Sequence, residues 1–212
     1  MRRTAALGIA LAVVATGLLL VAAVGRRPLL YVTRDPQATT FERWFLGFFS
    51  NVGNALWWSA AGIAIVTALV LYATHRAEPG RFMLATALIT LVLAIDDMFG
   101  VHDQWAYEEH IPKQLFFVAY GALAAGLFWR FRRELSRTWL TPLVLAVALY
   151  VCSSIFDGLS GDSDSDLRYL AEDGVKLLGV VCWAAWVAHT AFVRLRALAG
   201  APDEDARSLP YD

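Results

Sequence analysis

Six apolar runs, near residues 5–25, 52–74, 82–99, 114–131, 139–157 and 174–194, each approach the length of a membrane crossing. A hydrocarbon core of about 30 Å takes roughly 20 helical residues at about 1.5 Å per residue. Strand-like alternation is missing from these runs, and lipid offers a backbone polar group no partner outside the protein. The expected fold class is therefore all-α: a polytopic integral membrane protein with six transmembrane helices. With 58% hydrophobic residues and a formal net charge of −1, nothing draws the chain to nucleic acid. The expected partners are the lipid bilayer and a lipid-like or small-molecule substrate.

Basic residues orient the helices. "RFRRELSR" (130–137), "HRAEPGR" (75–81), Arg2/Arg3 and Arg194/Arg196 all fall on one side of a six-span arrangement. The positive-inside rule makes that side cytoplasmic, which puts both termini inside and locates the chain, as a multi-pass protein, in the cell membrane. Arg26 and Arg27 run against the rule, since this topology leaves them outside. Residues 1–200 read as a single six-helix domain, and 201–212 as a polar tail expected to be disordered. Residues 1–25 read as a retained anchor or a cleaved signal. Their apolar stretch exceeds the roughly 7–15 residues of a signal core, which favours the anchor. Cys152 and Cys182 fall inside apolar runs and read as small buried hydrophobes without a disulfide framework.

The chemistry concentrates in "LAIDDMFGVHDQWAYEEH", residues 93–110. Counted from Arg81, Asp96 and Asp97 lie about 23 Å along the third run, short of the far surface of a roughly 30 Å core. Intramembrane carboxylates are costly and normally face a bundle interior or a wet cavity. Asp157 closes the fifth run on the same side, Glu172 and Lys176 open the sixth, and Ser50, Asn51 and Asn54 open the second. Together they imply a polar pocket that opens outward. On an unbroken helix His102 points away from Asp96 and Asp103, and a break at Gly100 would turn it inward. Residues 102–110 also fit an ordinary solvated loop. Lys176 suits an ion pair with Glu172, four residues earlier, or with one of the two aspartates.

Carboxylates beside an imidazole suit zinc, iron or manganese, so Asp96, Asp97, His102 and Asp103 form the candidate metal set. Asp96, Asp97, Asp157, Glu172 and Lys176 are the candidate catalytic residues. The chain has no HExxH and no paired Glu-x-x-His. "DSDSD" (162–166) has partial calcium-loop spacing, but Leu167 stands where the turn glycine belongs, and a solvated acidic loop fits better.

"LAIDDMFGVHD" resembles the signature of uncharacterised bacterial multi-pass membrane proteins in which a DDxFxxH(D/E)-like motif ends a helix. "SSIFD" (153–157) and "EDGVKLLG" (172–179) extend the likeness over most of the chain after residue 40. It implies a membrane fold and no particular activity. "FFSNVGNALWW" is faintly similar to the Ser-Asn helix start of alkaline-ceramidase-like membrane hydrolases. Their HxxxH in the last helix is missing, with Glu172 and Lys176 at that spacing, so their zinc site does not carry over.

The leading functional expectation is a metal-dependent intramembrane hydrolase acting on a lipid-like substrate, in which the metal activates water and a carboxylate acts as base. A proton- or cation-coupled transporter with Asp96 and Asp97 as the titrating pair is the alternative. A non-catalytic membrane interaction protein whose acids pack helices together is the third.

Overall fold

The computed structural model describes residues 48–102, 106–159 and 166–200; at 48–49, 106, 156–159 and 166–173 it describes the backbone alone. The chain divides into Met1–Gly47 and Phe48–Asp212. The expected run at 5–25 and the tail at 201–212 lie outside the described residues, so the fold set out below is that of the second unit.

Every described element is helical. Five long helices follow one another: α1 (Phe48–Ala73), α2 (Ala77–Phe99), α3 (Lys113–Arg130), α4 (Leu140–Leu159) and α5 (Asp166–Leu198). Short helical segments at Ala106–Glu108 and Arg132–Leu135 bridge them. Three stretches, Ser50–Ala73, Ala77–Phe99 and Gly174–Leu198, are long and apolar enough to cross a membrane. They match the runs expected at 52–74, 82–99 and 174–194, with the first stopping one residue short at Ala73. The run at 139–157 corresponds to a shorter apolar helix, Leu140–Ile155, and that at 114–131 to α3, which carries Lys113 and Arg130 at its two ends.

The α1–α2 hairpin shows how local chemistry sets the ends. His75, at φ 61°, occupies the left-handed position that closes α1. Its N–H bonds to the Tyr72 carbonyl and that of Arg76 to Leu71, so the last carbonyls of the helix are satisfied by the turn itself. Pro79 then sits in the first turn of α2, where its missing N–H costs nothing, and Glu78 beside it complements the helix dipole. Gly80 lets that turn settle on the Tyr72 ring, 3.4 Å from where a Cβ would stand.

Helix α1 packs against α2 and α5, and α5 also packs against α4. The buried face of α1 is Trp57, Ala60, Ala61, Ala64, Ala68 and Leu71, a helical repeat made mostly of the smallest side chain. Small residues let helix backbones approach where lipid provides no hydrophobic drive for association. Larger partners fill the seam from the other side: Phe82 and Met83 on α2, and Val180, Trp183, Trp186 and Val187 on α5. The opposite face of α1 exposes Ile63, Val66 and Leu69, and that of α4 exposes Val144, Val147 and Val151. Apolar faces this extensive suit lipid rather than water. Cys152, expected to be buried, lies on the exposed face of α4, where a small apolar side chain suits the same environment.

Several polar groups inside the bundle find partners locally. Thr67, Thr86 and Thr90 donate their hydroxyls to carbonyls one turn earlier, at 2.7, 3.0 and 2.7 Å. Thr90 Oγ1 also accepts the Trp183 indole N–H at 3.0 Å, tying α2 to α5. Arg194 on α5 donates to Glu134 at 2.7 Å, with both side chains largely buried. The guanidinium of Arg194 also lies over the Phe82 ring, 5.1 Å from its centroid.

Candidate functional site

The end of α2 builds the site. Gly100 takes the left-handed conformation (φ 58°, ψ 40°), and its N–H bonds to the Asp96 carbonyl. A residue with a Cβ is strained in that conformation, so glycine is what allows the helix to stop here. The chain then turns back on itself. The His102 N–H donates to Asp96 Oδ1 at 3.0 Å, and His102 Nδ1 lies 2.7 Å from Asp96 Oδ2. The break expected at Gly100 is present, and it does turn His102 inward.

Tyr120 on α3 completes this group by donating its hydroxyl to Asp96 Oδ1 at 2.9 Å. Phe117, one turn earlier on α3, covers the imidazole with ring centroids 5.2 Å apart. The Asp96 and His102 side chains are only 9% and 12% exposed, so these bonds form with little competing water. A carboxylate only accepts hydrogen bonds, so the proton between Asp96 and His102 belongs to Nδ1. That fixes the tautomer and directs the basic lone pair of the neutral ring to Nε2.

Asp97 faces elsewhere. Its Oδ1 pairs with Lys176 Nζ on α5. Its Oδ2 lies 3.8 Å from the position a Cβ would take on Gly53 of α1, as does Leu177 Cδ1. Adjacent acids on one helix therefore serve two separate groups, joining α2 to α3 on one side and to α5 on the other. Asp97 is thus one partner of Lys176, and the expected pairing with Glu172 falls on a side chain outside the described set.

Asp96, Asp97, His102 and Lys176 are thus at one end of the bundle. Asp157 lies in the last turns of α4 and Glu172 in the first turns of α5, but their side chains are outside the described set. Asp103 lies outside the described residues, as do Asp162 and Asp164 of "DSDSD". Among the described residues, no three His, Cys, Asp or Glu side chains come together in a way that could hold a metal ion. Tyr120 was not among the candidates read from the sequence. Its only sequence signal is a hydroxyl seven residues into an apolar run, which fits an ordinary interfacial tyrosine equally well.

A domain of unknown function (DUF8692) matches residues 6–190. The chain belongs to this family. The matched region covers α1 to α4, α5 as far as residue 190 and the whole site, so the Asp96 and Asp97 groups lie inside the DUF8692 domain. No curated protein and no solved structure matches the chain.

Proposed function

We propose that this DUF8692 chain is a multi-pass protein of the cell membrane that hydrolyses a lipid-like substrate, with His102 as the group that activates water. In this reading six helices cross the bilayer, both termini are cytoplasmic, and the Asp96 end opens outward. The observation that carries it is the 2.7 Å contact between Asp96 Oδ2 and His102 Nδ1. A carboxylate that holds one ring nitrogen and leaves proton transfer to the other is the usual way of orienting a histidine base. Tyr120 and the His102 N–H saturate the other carboxylate oxygen, so Asp96 acts through His102.

In a metal-assisted form of this reading, His102 Nε2 would be a ligand to zinc, iron or manganese and Asp96 would orient the ring. Because both Asp96 oxygens already accept hydrogen bonds, Asp96 is a poorer direct ligand than the sequence implied. Asp103 is the neighbouring candidate that could join His102.

The test uses purified protein in micelles with a total polar-lipid extract, following released fatty acids and headgroups by mass spectrometry. Wild type is expected to release a product that His102→Ala does not, while both remain monodisperse. Asp96→Asn should lower the rate by about 100-fold or more, through loss of the ring's orientation. No lipid turnover, or turnover unaffected by His102→Ala, overturns the hydrolase. Elemental analysis of the same preparations separates the two forms: a metal retained by wild type and lost from His102→Ala supports the metal-assisted one.

The Asp97–Lys176 ion pair favours one other reading, a proton- or cation-coupled transporter. An intramembrane pair joining two helices is a common means of coupling charge to movement. Proton flux into dye-loaded proteoliposomes that disappears in Asp97→Asn, with no lipid turnover, would support it.

A further inference from the structure

Among the buried side-chain atoms that find no hydrogen-bonding partner among the described residues are Asn54 Oδ1, Trp57 Nε1 and Tyr150 OH. Asn54 and Trp57 are three residues apart on α1 and share a face. The Trp57 and Tyr150 rings stack with centroids 5.9 Å apart and an interplanar angle of 28°. Asn54 follows Gly53, whose Cβ position lies 3.8 Å from both Asp97 Oδ2 and Leu177 Cδ1. This stretch of α1 therefore meets α2 and α5 at Gly53 and α4 at Trp57.

Packing holds Tyr150 in this position. A Cβ on Gly179 would stand 3.1 Å from Tyr150 Cε2, so glycine on α5 is what makes room for the ring. Neighbouring tryptophans show that the bundle satisfies indoles where it can. Trp183 Nε1 donates to Thr90 at 3.0 Å and Trp186 Nε1 to Thr138 at 3.1 Å. An unsatisfied buried polar group costs about 1–3 kcal/mol, so three together call for a ligand.

We propose that Asn54, Trp57 and Tyr150 form a binding site for a hydroxyl group beside the Asp97–Lys176 ion pair. The donor and acceptor types select that chemistry. The indole N–H only donates, the amide oxygen only accepts, and the phenol does both. A hydroxyl meets all three, accepting from Trp57 and Tyr150 and donating to Asn54. A carboxylate has nothing to give Asn54, and an ammonium nothing to accept from Trp57. Buried water typically makes about three such bonds, and the hydroxyl of a lipid polyol headgroup offers the same set. This site stands whether or not the hydrolase reading holds.

Radiolytic hydroxyl-radical footprinting of the wild-type protein, read per residue by mass spectrometry, tests the proposal. Radiolysis breaks an O–H bond of bound water in place, and the hydroxyl radical formed oxidises the side chains that water touches. Exposure alone ranks Trp57 (1%) below Trp183 (4%) and level with Trp186 (0%) to within a percent. The site predicts the reverse order in nanodiscs of phosphatidylcholine, with Trp57 oxidised at least tenfold faster than either. Nanodiscs of phosphatidylglycerol, which carries headgroup hydroxyls, identify the source: an unchanged Trp57 rate marks water, and a rate altered at Trp57 but not at Trp183 marks the lipid headgroup. Asn54→Leu, which fills the site, should bring Trp57 down to the Trp186 rate. Trp57 oxidised as slowly as Trp183 and Trp186 in both lipids overturns the proposal.

Discussion

Asp96 and His102 are six residues apart and would diverge on a continuous helix, yet the left-handed turn at Gly100 brings His102 Nδ1 to 2.7 Å from Asp96 Oδ2. The relationship rests on the backbone of one residue. Gly100→Ala should therefore strain φ, loosen both His102 contacts and cost about 1–2 kcal/mol. Gly121 on α3 is the control, because nothing lies within 4 Å of its Cβ position. Gly121→Ala should be neutral or stabilising by up to about 1 kcal/mol, through helix propensity. Thermal unfolding in detergent compares them, and equal melting temperatures would deny Gly100 its role.

The Asp97–Lys176 pair predicts a coupling. Lys176→Met leaves a carboxylate only 9% exposed without its cation, and Asp97→Asn leaves an ammonium that is still 35% exposed. The lysine variant should therefore be the less stable of the two, by about 1–3 kcal/mol relative to wild type. Combining them should recover part of that loss, because no uncompensated buried charge remains. A double-mutant cycle gives the interaction directly, and strictly additive losses would mean the groups do not interact.

These two groups also show where the sequence was legible. The apolar runs identified the described helices, because lipid-length hydrophobicity is a property of the chain alone. Asp96, Asp97 and Lys176 stood out because charge inside such runs is costly. Gly100 was readable as a break, since glycine is what a left-handed helix end requires. What remained hidden depends on tertiary geometry. That Asp96 would face α3 while Asp97 faces α5 follows from how the helices pack, and Tyr120 could not be told from any other tyrosine in an apolar run. The contact between the Trp57 and Tyr150 rings likewise depends on how α1 and α4 pack.

A second ion pair, Glu134–Arg194, lies at the other end of α5 and was not anticipated, because both residues sit in segments that read as basic cytoplasmic flanks. Arg194 Nη1 donates to Glu134 Oε2 at 2.7 Å, and the two side chains are 12% and 13% exposed. Glu134→Gln should cost about 3 kcal/mol or more, since it strands a guanidinium packed over Phe82. The Arg81–Glu78 pair is matched in chemistry at 3.0 Å but about half exposed. Arg81→Ala should cost less than about 1 kcal/mol, because water and salt screen that interaction. Chemical denaturation of the two variants reads the contrast, and comparable losses would show that the Glu134 site is wetter than its packing implies.

Orientation in the bilayer can be read with single cysteines. Cys152 and Cys182 are replaced by Ala, and Glu78→Cys or His110→Cys is introduced. Both positions are exposed; Glu78 lies in the first turn of α2, and His110 lies in the connection beyond its other end. If the basic segments are cytoplasmic, an impermeant maleimide applied to intact cells labels position 110 and leaves 78 unlabelled until the cells are opened. The result also decides which compartment supplies the substrate, because Asp96, His102 and Tyr120 lie toward the 110 end of α2. Labelling at 78 but not at 110 reverses the orientation, turns the site toward the cytoplasm and removes the outward-facing part of the proposed function. Labelling at neither position before opening, with both labelled afterwards, indicates a chain that does not reach the cell surface and contradicts its assignment to the cell membrane.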